Sequence, residues 1–294
     1  MLLCLAAAGC ASGPPAPEFE ADRAWAHLVQ QVSFGPRHPG HRGHARQLEW
    51  LRAELGRRAD TVLLQPFTTP GEGGAEVRWT SVVARFRPEA AERVLLVAHR
   101  DTRRRADGSP EAMDRGRPVP GANLNASGVA VLLELAQLLR EQPPPVGVDL
   151  LFADGDDQSD AAPFAGTRHF VRSMPGYRAR YAVVLQAVGD YEPRFPMDPA
   201  SDAAAAGPLW DAARRLGHDT MFVAERGRPL RSQAEVLSAA GIRTVVVRDP
   251  EYGPANGRWH SVDDRPQFLQ RETLAAVGAT LATVLYAEPP DPER

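Results

Sequence analysis

Residues 93–102 read RVLLVAHRDT, and residues 121–136 read GANLNASGVAVLLELA. The first is an apolar run that closes on His99, Arg100 and Asp101; the second is a turn of small residues opening an apolar helix. Successive apolar side chains mark a strand buried on both faces, as in a parallel sheet covered by helices. VDLLFA at 148–153, YAVVL at 181–185 and TVVV at 244–247 have the same character, within strands expected at 146–153, 181–188 and 243–247. Helical spacing is expected near 128–140, 165–174, 202–216, 232–240 and 268–287, with Asn125 or Ser127 as a candidate N-cap of the first of these. Upstream, helices are expected at 18–31 and 44–57 and strands at 61–67 and 79–86. The β-α-β alternation predicts one α/β domain over 18–288, built in three layers with a mostly parallel central sheet flanked by helices.

Composition narrows the chemistry. The chain has 294 residues, is 43% hydrophobic and carries a net charge of only −3, which fits a folded domain and gives no reason to expect a nucleic-acid-binding surface. All 34 basic residues are arginine, so no lysine nucleophile or Schiff base exists. GxSxG and GxxxxGK[ST] motifs are absent, which disfavours elbow-type serine hydrolases and P-loop enzymes. The two cysteines, Cys4 and Cys10, both lie in the opening MLLCLAAAGC, leaving no thiolate ligand in the domain. That opening resembles a bacterial lipoprotein signal over residues 1–9, with Cys10 as the lipidated residue, 10–17 as a tether and 289–294 as a tail. The expectation is a protein anchored to the cell envelope, facing the periplasm or the outside, without spanning the membrane. An ordinary apolar N-terminus is the alternative.

In open α/β sheets, ligands gather beyond the carboxyl ends of the strands. Here those ends lead to His99 and Asp101, to Asp154, Asp156 and Asp157, to Gly189-Asp190, and to a loop reaching Trp259, His260, Asp263 and Asp264. Imidazole and carboxylate together suit zinc. Other readings stand beside this one. His99 can be a core-edge histidine held by Asp101, and Asp156 and Asp157 can be a solvated turn. His38, His41 and His44 fit an exposed loop, and Arg103, Arg104 and Arg105 a solvated charge run.

In one order along the chain, FGPRHPG, LLVAHRDT, GANLNASGVAVLLELA, LLFADGDD, GTRHF, VVLQAVGD and WHSVDD resemble the zinc aminopeptidase superfamily (metallopeptidase family 28 type) and, within it, bacterial glutaminyl-peptide cyclotransferases. The resemblance implies a zinc site with Asp157 and His260 as ligands, His99 as a possible third, Asp156 at the general-base position, and Asp101 and Trp259 behind them. It also exposes departures. Leu124 stands where the pattern has a ligand Asp, Gln186 where it has a second Asp, and Ser232, Gln233 and Ala234 where relatives carry Asp-Asp-His. Asp156 is one methylene shorter than the expected Glu, a deficit of ~1.5 Å. Two functions remain open: a binding module for a peptide N-terminus or small molecule without turnover, which the lost acids favour, and a zinc-dependent glutaminyl cyclase or aminopeptidase with a non-standard site.

Overall fold

A computed structural model describes residues 15–158 and 163–290. The signal-like segment, Cys10 and most of the tether lie outside the described residues, as does the tail from 291. The elements run α1 (Ala21–Ser33), α2 (Arg42–Gly56), β1 (Thr61–Pro70), β2 (Glu76–Phe86), β3 (Arg93–His99), α3 (Gly128–Glu141), β4 (Gly147–Ala153) and α4 (Ala165–Ser173). They continue as β5 (Tyr181–Gln186), β6 (Phe195–Met197), α5 (Ala203–Arg215), β7 (Phe222–Arg226), α6 (Ala234–Ala239), β8 (Thr244–Arg248) and α7 (Arg271–Ala287).

Six strands form the central sheet in the order β1-β2-β4-β3-β5-β8. β3, β4, β5 and β8 run parallel, and β1 and β2 add an antiparallel hairpin at one edge. The expected α/β architecture is present as a mixed sheet with helices on both faces. Every residue of β3, β4, β5 and β8 is buried, as their unbroken apolar runs require. Alternate side chains divide between the layers. Val94, Leu96, Ala98, Leu150 and Phe152 join the cluster that includes α1, α3, α5 and α7, whereas Leu95, Val97, Leu151 and Val184 pack with Phe170 of α4 and Leu237 of α6. The helical segment Ala122–Glu141 is long and apolar enough to cross a membrane, but 94% of its apolar window is buried, so it is the core helix of one face.

Three expectations change in detail. β6 and β7 form a separate two-stranded pair that the sequence reading lacks; β6 is three residues long and contains Pro196, too short for a period to register. β5 stops at Gln186 instead of reaching Val188, because Ala187 turns to φ 53°. Neither Asn125 nor Ser127 caps α3. Residues 122–127 form a π-helical turn, Ser127 Oγ donates back to the Asn123 carbonyl, and the Asn125 side chain points elsewhere.

Candidate active site

The parallel register brings the chemistry to one edge. His99 lies opposite Ala153 at the ends of β3 and β4, and Gln186 lies opposite Arg248 at the ends of β5 and β8. Beyond β4 the chain turns at Gly155, whose φ is +78°; a Cβ there would sit 2.9 Å from the Trp79 ring, so only glycine fits. The turn delivers Asp156 and Asp157, and Asp101 fixes them. Its carboxylate accepts from Asp156 N at 3.1 Å, Asp157 N at 3.0 Å and Gln158 Nε2 at 2.7 Å.

The π-helical turn forms a second wall. Arg37, from the FGPRHPG segment, donates to Pro120 O at 2.8 Å and Gly121 O at 2.5 Å. Asp264 accepts from Asn123 N at 2.6 Å and Leu124 N at 3.3 Å, so this acid of the WHSVDD segment pins the turn. Gly121 has φ +68°, and a Cβ would meet Asn125 Oδ1 at 2.3 Å. Asn125 Nδ2 donates to Asp101 O at 2.6 Å and lies 3.0 Å from His99 Nδ1. π-Helical turns concentrate at functional sites, and this one borders the acids.

Within the cluster, His260 Nε2 is 2.9 Å from Asp157 Oδ1, and Arg103 Nη1 is 3.6 Å from the same oxygen. His260 holds φ at 49°, a left-handed conformation that nonglycine residues seldom adopt and that is often found at binding sites. Burial opposes the charge on Asp157, yet His260, His99 and Arg103 hold its carboxyl well below the usual carboxylate range. Burial also opposes a charged His99, but Asp101, 3.7 Å away, with Asp157 and Asp156, lifts it to about 9. Asp156 is pushed up to about 6 by burial and then by Asp101, although Thr167 donates to it through Oγ1 at 2.6 Å and N at 3.1 Å.

A cavity of about 310 Å³ opens over this cluster. Its lining includes His99, Asp156, Asp157, Trp259 and His260, so the expected site residues are brought together. Asp101 is fully buried behind them. Leu124 is buried on the π-helical turn. Gln186 and Gln233 reach the lining, Ser232 is buried, and Ala234 opens α6, so this side supplies no carboxylate at the expected ligand positions.

Several residues enter that the sequence reading placed otherwise or missed. Arg103 is not a solvated charge; it is 9% exposed and lies against Asp157 and Asp107. His44 lies in α2, as the expected helix from 44 has it, but it is not an exposed histidine: Nε2 is 2.9 Å from both Asp154 oxygens. Arg248 is the larger omission. It is buried, with Nη1 donating to Gln186 Oε1 at 3.2 Å and Nη2 bonding Asp198. The strand-end rule that selected His99 reaches Arg248 once β8 is extended by one residue.

Catalytic zinc needs about three protein ligands and an open position. Among the described residues, no three His, Cys, Asp or Glu side chains are grouped to hold a metal ion. Asp157 and His260 engage each other, Asp156 faces Thr167, leucine offers no donor at 124, and the amide oxygen of Gln186 is taken by a guanidinium whose charge repels a cation. This donor set does not fit a catalytic zinc.

Comparison with known proteins places the scaffold. A probable zinc metalloprotease of Leptosphaeria maculans is 32% identical over 248 residues, covering 78% of this chain and 56% of that protein. The chain spans 34% to 56% of the length of the curated relatives it matches. The crystal structure of Tannerella forsythia glutaminyl cyclase superposes with a TM-score of 0.88 at 29% identity, covering 93% of this chain and 100% of that one. A Zn-dependent exopeptidase from Parabacteroides distasonis gives the same TM-score, identity and coverage. The family model of peptidase family M28 matches residues 81–285, more than half of the chain. With that match resting on the strands and turns that build the pocket, the chain belongs to peptidase family M28.

Proposed function

We propose that this chain is a ligand-binding member of the family that has lost its zinc chemistry and holds a peptide N-terminus or a small molecule without turnover. The observation that carries the reading is the contact between Gln186 and Arg248. An acid of the family pattern is replaced by an amide, and that amide is bonded to a buried cation. Leu124 removes the other expected acid. The shortened Asp156 adds to this. Its carboxylate is held by Thr167, and a ~1 Å misplacement of a catalytic group can cost ~100-fold in rate. Cys10 carries the lipid in this reading and keeps the domain at the cell envelope.

The purified chain is expected to bind a Gln-initiated tripeptide in calorimetry and to return it unchanged, with no pyroglutamate by mass spectrometry. Pyroglutamate formation that disappears in His260→Ala would replace this reading with its alternative, a zinc-dependent glutaminyl cyclase using a non-standard site. The pair formed by Asp157 and His260 is the feature that favours that alternative. Lipidation is checked separately, by incorporation of labelled fatty acid that Cys10→Ala abolishes.

A further inference from the structure

Three residues of the cavity wall, Asn256, Trp259 and His260, come from one loop, 253–260, between β8 and α7. That loop is strained. Among the described residues six nonglycine residues hold a positive φ, and three of them are here: Ala255 at 51°, Asn256 at 59° and His260 at 49°. Such conformations cost free energy and persist only where the surroundings impose them. Part of the restraint is local. Asn256 N donates to Gly253 O at 3.0 Å, Trp259 N donates to Asn256 O at 3.1 Å, and the Asn256 side chain accepts from Tyr252 N at 2.8 Å. Part comes from a neighbouring segment. Gly108 N donates to His260 O at 3.1 Å, and a Cβ at 108 would lie 2.1 Å from Trp259 O, so this approach needs glycine.

The remaining restraint is Arg258, which directly precedes Trp259 and does not line the cavity. Its guanidinium is seated among three rings. Cζ lies 3.8 Å from the ring centroid of Phe268, 5.7 Å from that of Tyr191 and 5.9 Å from that of Tyr252. Tyr191 follows β5, Tyr252 follows β8 and Phe268 precedes α7, so three separate stretches of the fold supply the faces. They are tied together by backbone bonds, Tyr191 N to Phe268 O at 3.3 Å and Arg258 N to Tyr252 O at 3.1 Å. Among the described residues no ion pair or side-chain hydrogen bond holds this guanidinium, and Nη1 is buried without an acceptor. The rings are its partners: a cation within about 6 Å of an aromatic face is attracted by the ring quadrupole, and arginine also stacks on such faces.

We infer that Arg258 is a positioning residue of this pocket: held among Phe268, Tyr191 and Tyr252, it sets Trp259 and His260 in place before a ligand arrives. A wall fixed in advance spares the ligand the cost of ordering it. The ligand-binding role of Trp259 and His260 rests on the reading above; the placement of the loop by Arg258 does not.

The test follows the Trp259 indole N–H of the full chain by two-dimensional NMR, with Trp259→Phe assigning its signal among the five tryptophans. In Arg258→Met, which keeps the stem and removes the charge, the Trp259 signal is expected to shift or broaden while the other four stay in place. Hydrogen exchange over 253–262 should quicken at least tenfold in the same variant. Arg258→Lys, which restores a cation, should return both readouts toward wild type. Phe268→Leu, which removes the nearest ring face, should reproduce the methionine variant. Where the binding reading holds, the Gln-initiated tripeptide should bind Arg258→Met at least tenfold more weakly than wild type, with the lysine variant between them. An unmoved Trp259 signal with unchanged exchange in Arg258→Met, or a lysine variant as disturbed as the methionine one, would overturn the inference. Movement of all five indole signals in both Arg258→Met and Phe268→Leu would assign the ring cluster to global stability and overturn it as well. Absence of tripeptide binding by the wild type would overturn the binding reading alone, because the indole and exchange measurements need no ligand.

Discussion

Replacing Asp154 by alanine is expected to cost the fold about 3–5 kcal/mol and to lower its thermal midpoint by roughly 10 °C. Asp154 is fully buried one residue past β4, where it accepts Arg100 Nη2 at 2.6 Å, His44 Nε2 at 2.9 Å and Thr80 N at 2.7 Å. Arg100 is fully buried too. Its other donors reach Thr80 O at 3.1 Å, Gln47 Oε1 at 3.2 Å and His44 O at 3.3 Å, none of which carries a negative charge. Alanine at 154 therefore strands a guanidinium away from water. Asparagine keeps an acceptor but not the charge, and its loss should be intermediate. The consequence extends to the pocket, because Gly155, Asp156 and Asp157 follow directly. Urea and thermal unfolding measure the effect; a loss below about 1 kcal/mol for the alanine variant would show that the network is not the anchor described.

The thermal midpoint should also fall as pH rises from 6.5 to 9, and His99 should account for most of the fall. Its folded value of about 9 exceeds the unfolded value of 6.5, so the folded state retains the proton. That contribution is complete below pH 6.5 and is lost as pH rises through 9. At ~1.4 kcal/mol per pH unit it amounts to about 3 kcal/mol. Asp249, raised by burial to about 7, adds a smaller loss of the same sign at the bottom of this window. The contributions of Asp156 and Asp264, each raised to about 6, are spent at lower pH. His27, lowered by burial to about 4, and His38, lowered by burial, oppose this trend, but their effect ends near pH 6.5. The variant His99→Gln should flatten the profile above pH 6.5. A wild-type midpoint constant over the window, or an equal fall in the variant, would contradict this assignment. A bound zinc would require the neutral ring and remove the effect.

The parts of this structure that long apolar runs encode were legible in the sequence. β3, β4, β5 and β8 appear close to where continuous burial predicts them, and the rule that ligands gather at strand ends led to His99, Asp156 and Asp157. Long-range pairing was not legible. Nothing local in GANLNASG indicates that Asn125 turns toward Asp101 and His99, or that Asp264 lies against the amides of Asn123 and Leu124. Arg103 belongs to a run of three arginines, and the tertiary placement of Asp157 against it distinguishes it from Arg104 and Arg105. Arg248 was missed because a charged residue ending an apolar strand looks like the strand's exit into solvent, whereas Asp198, 50 residues earlier, meets it inside. The departures at Leu124 and Gln186 were visible at once as breaks in the motif pattern. At Gln186 the bond from Arg248 gives that break its physical meaning.

The proposed absence of zinc from this pocket is tested most directly by metal content. The full chain, purified without chelator and read by elemental mass spectrometry, should carry far less than one zinc per chain, and added zinc should leave its thermal midpoint unchanged. Near-stoichiometric zinc, with a midpoint that rises on zinc addition and drops in His260→Ala, would contradict the account and restore metal chemistry to the site.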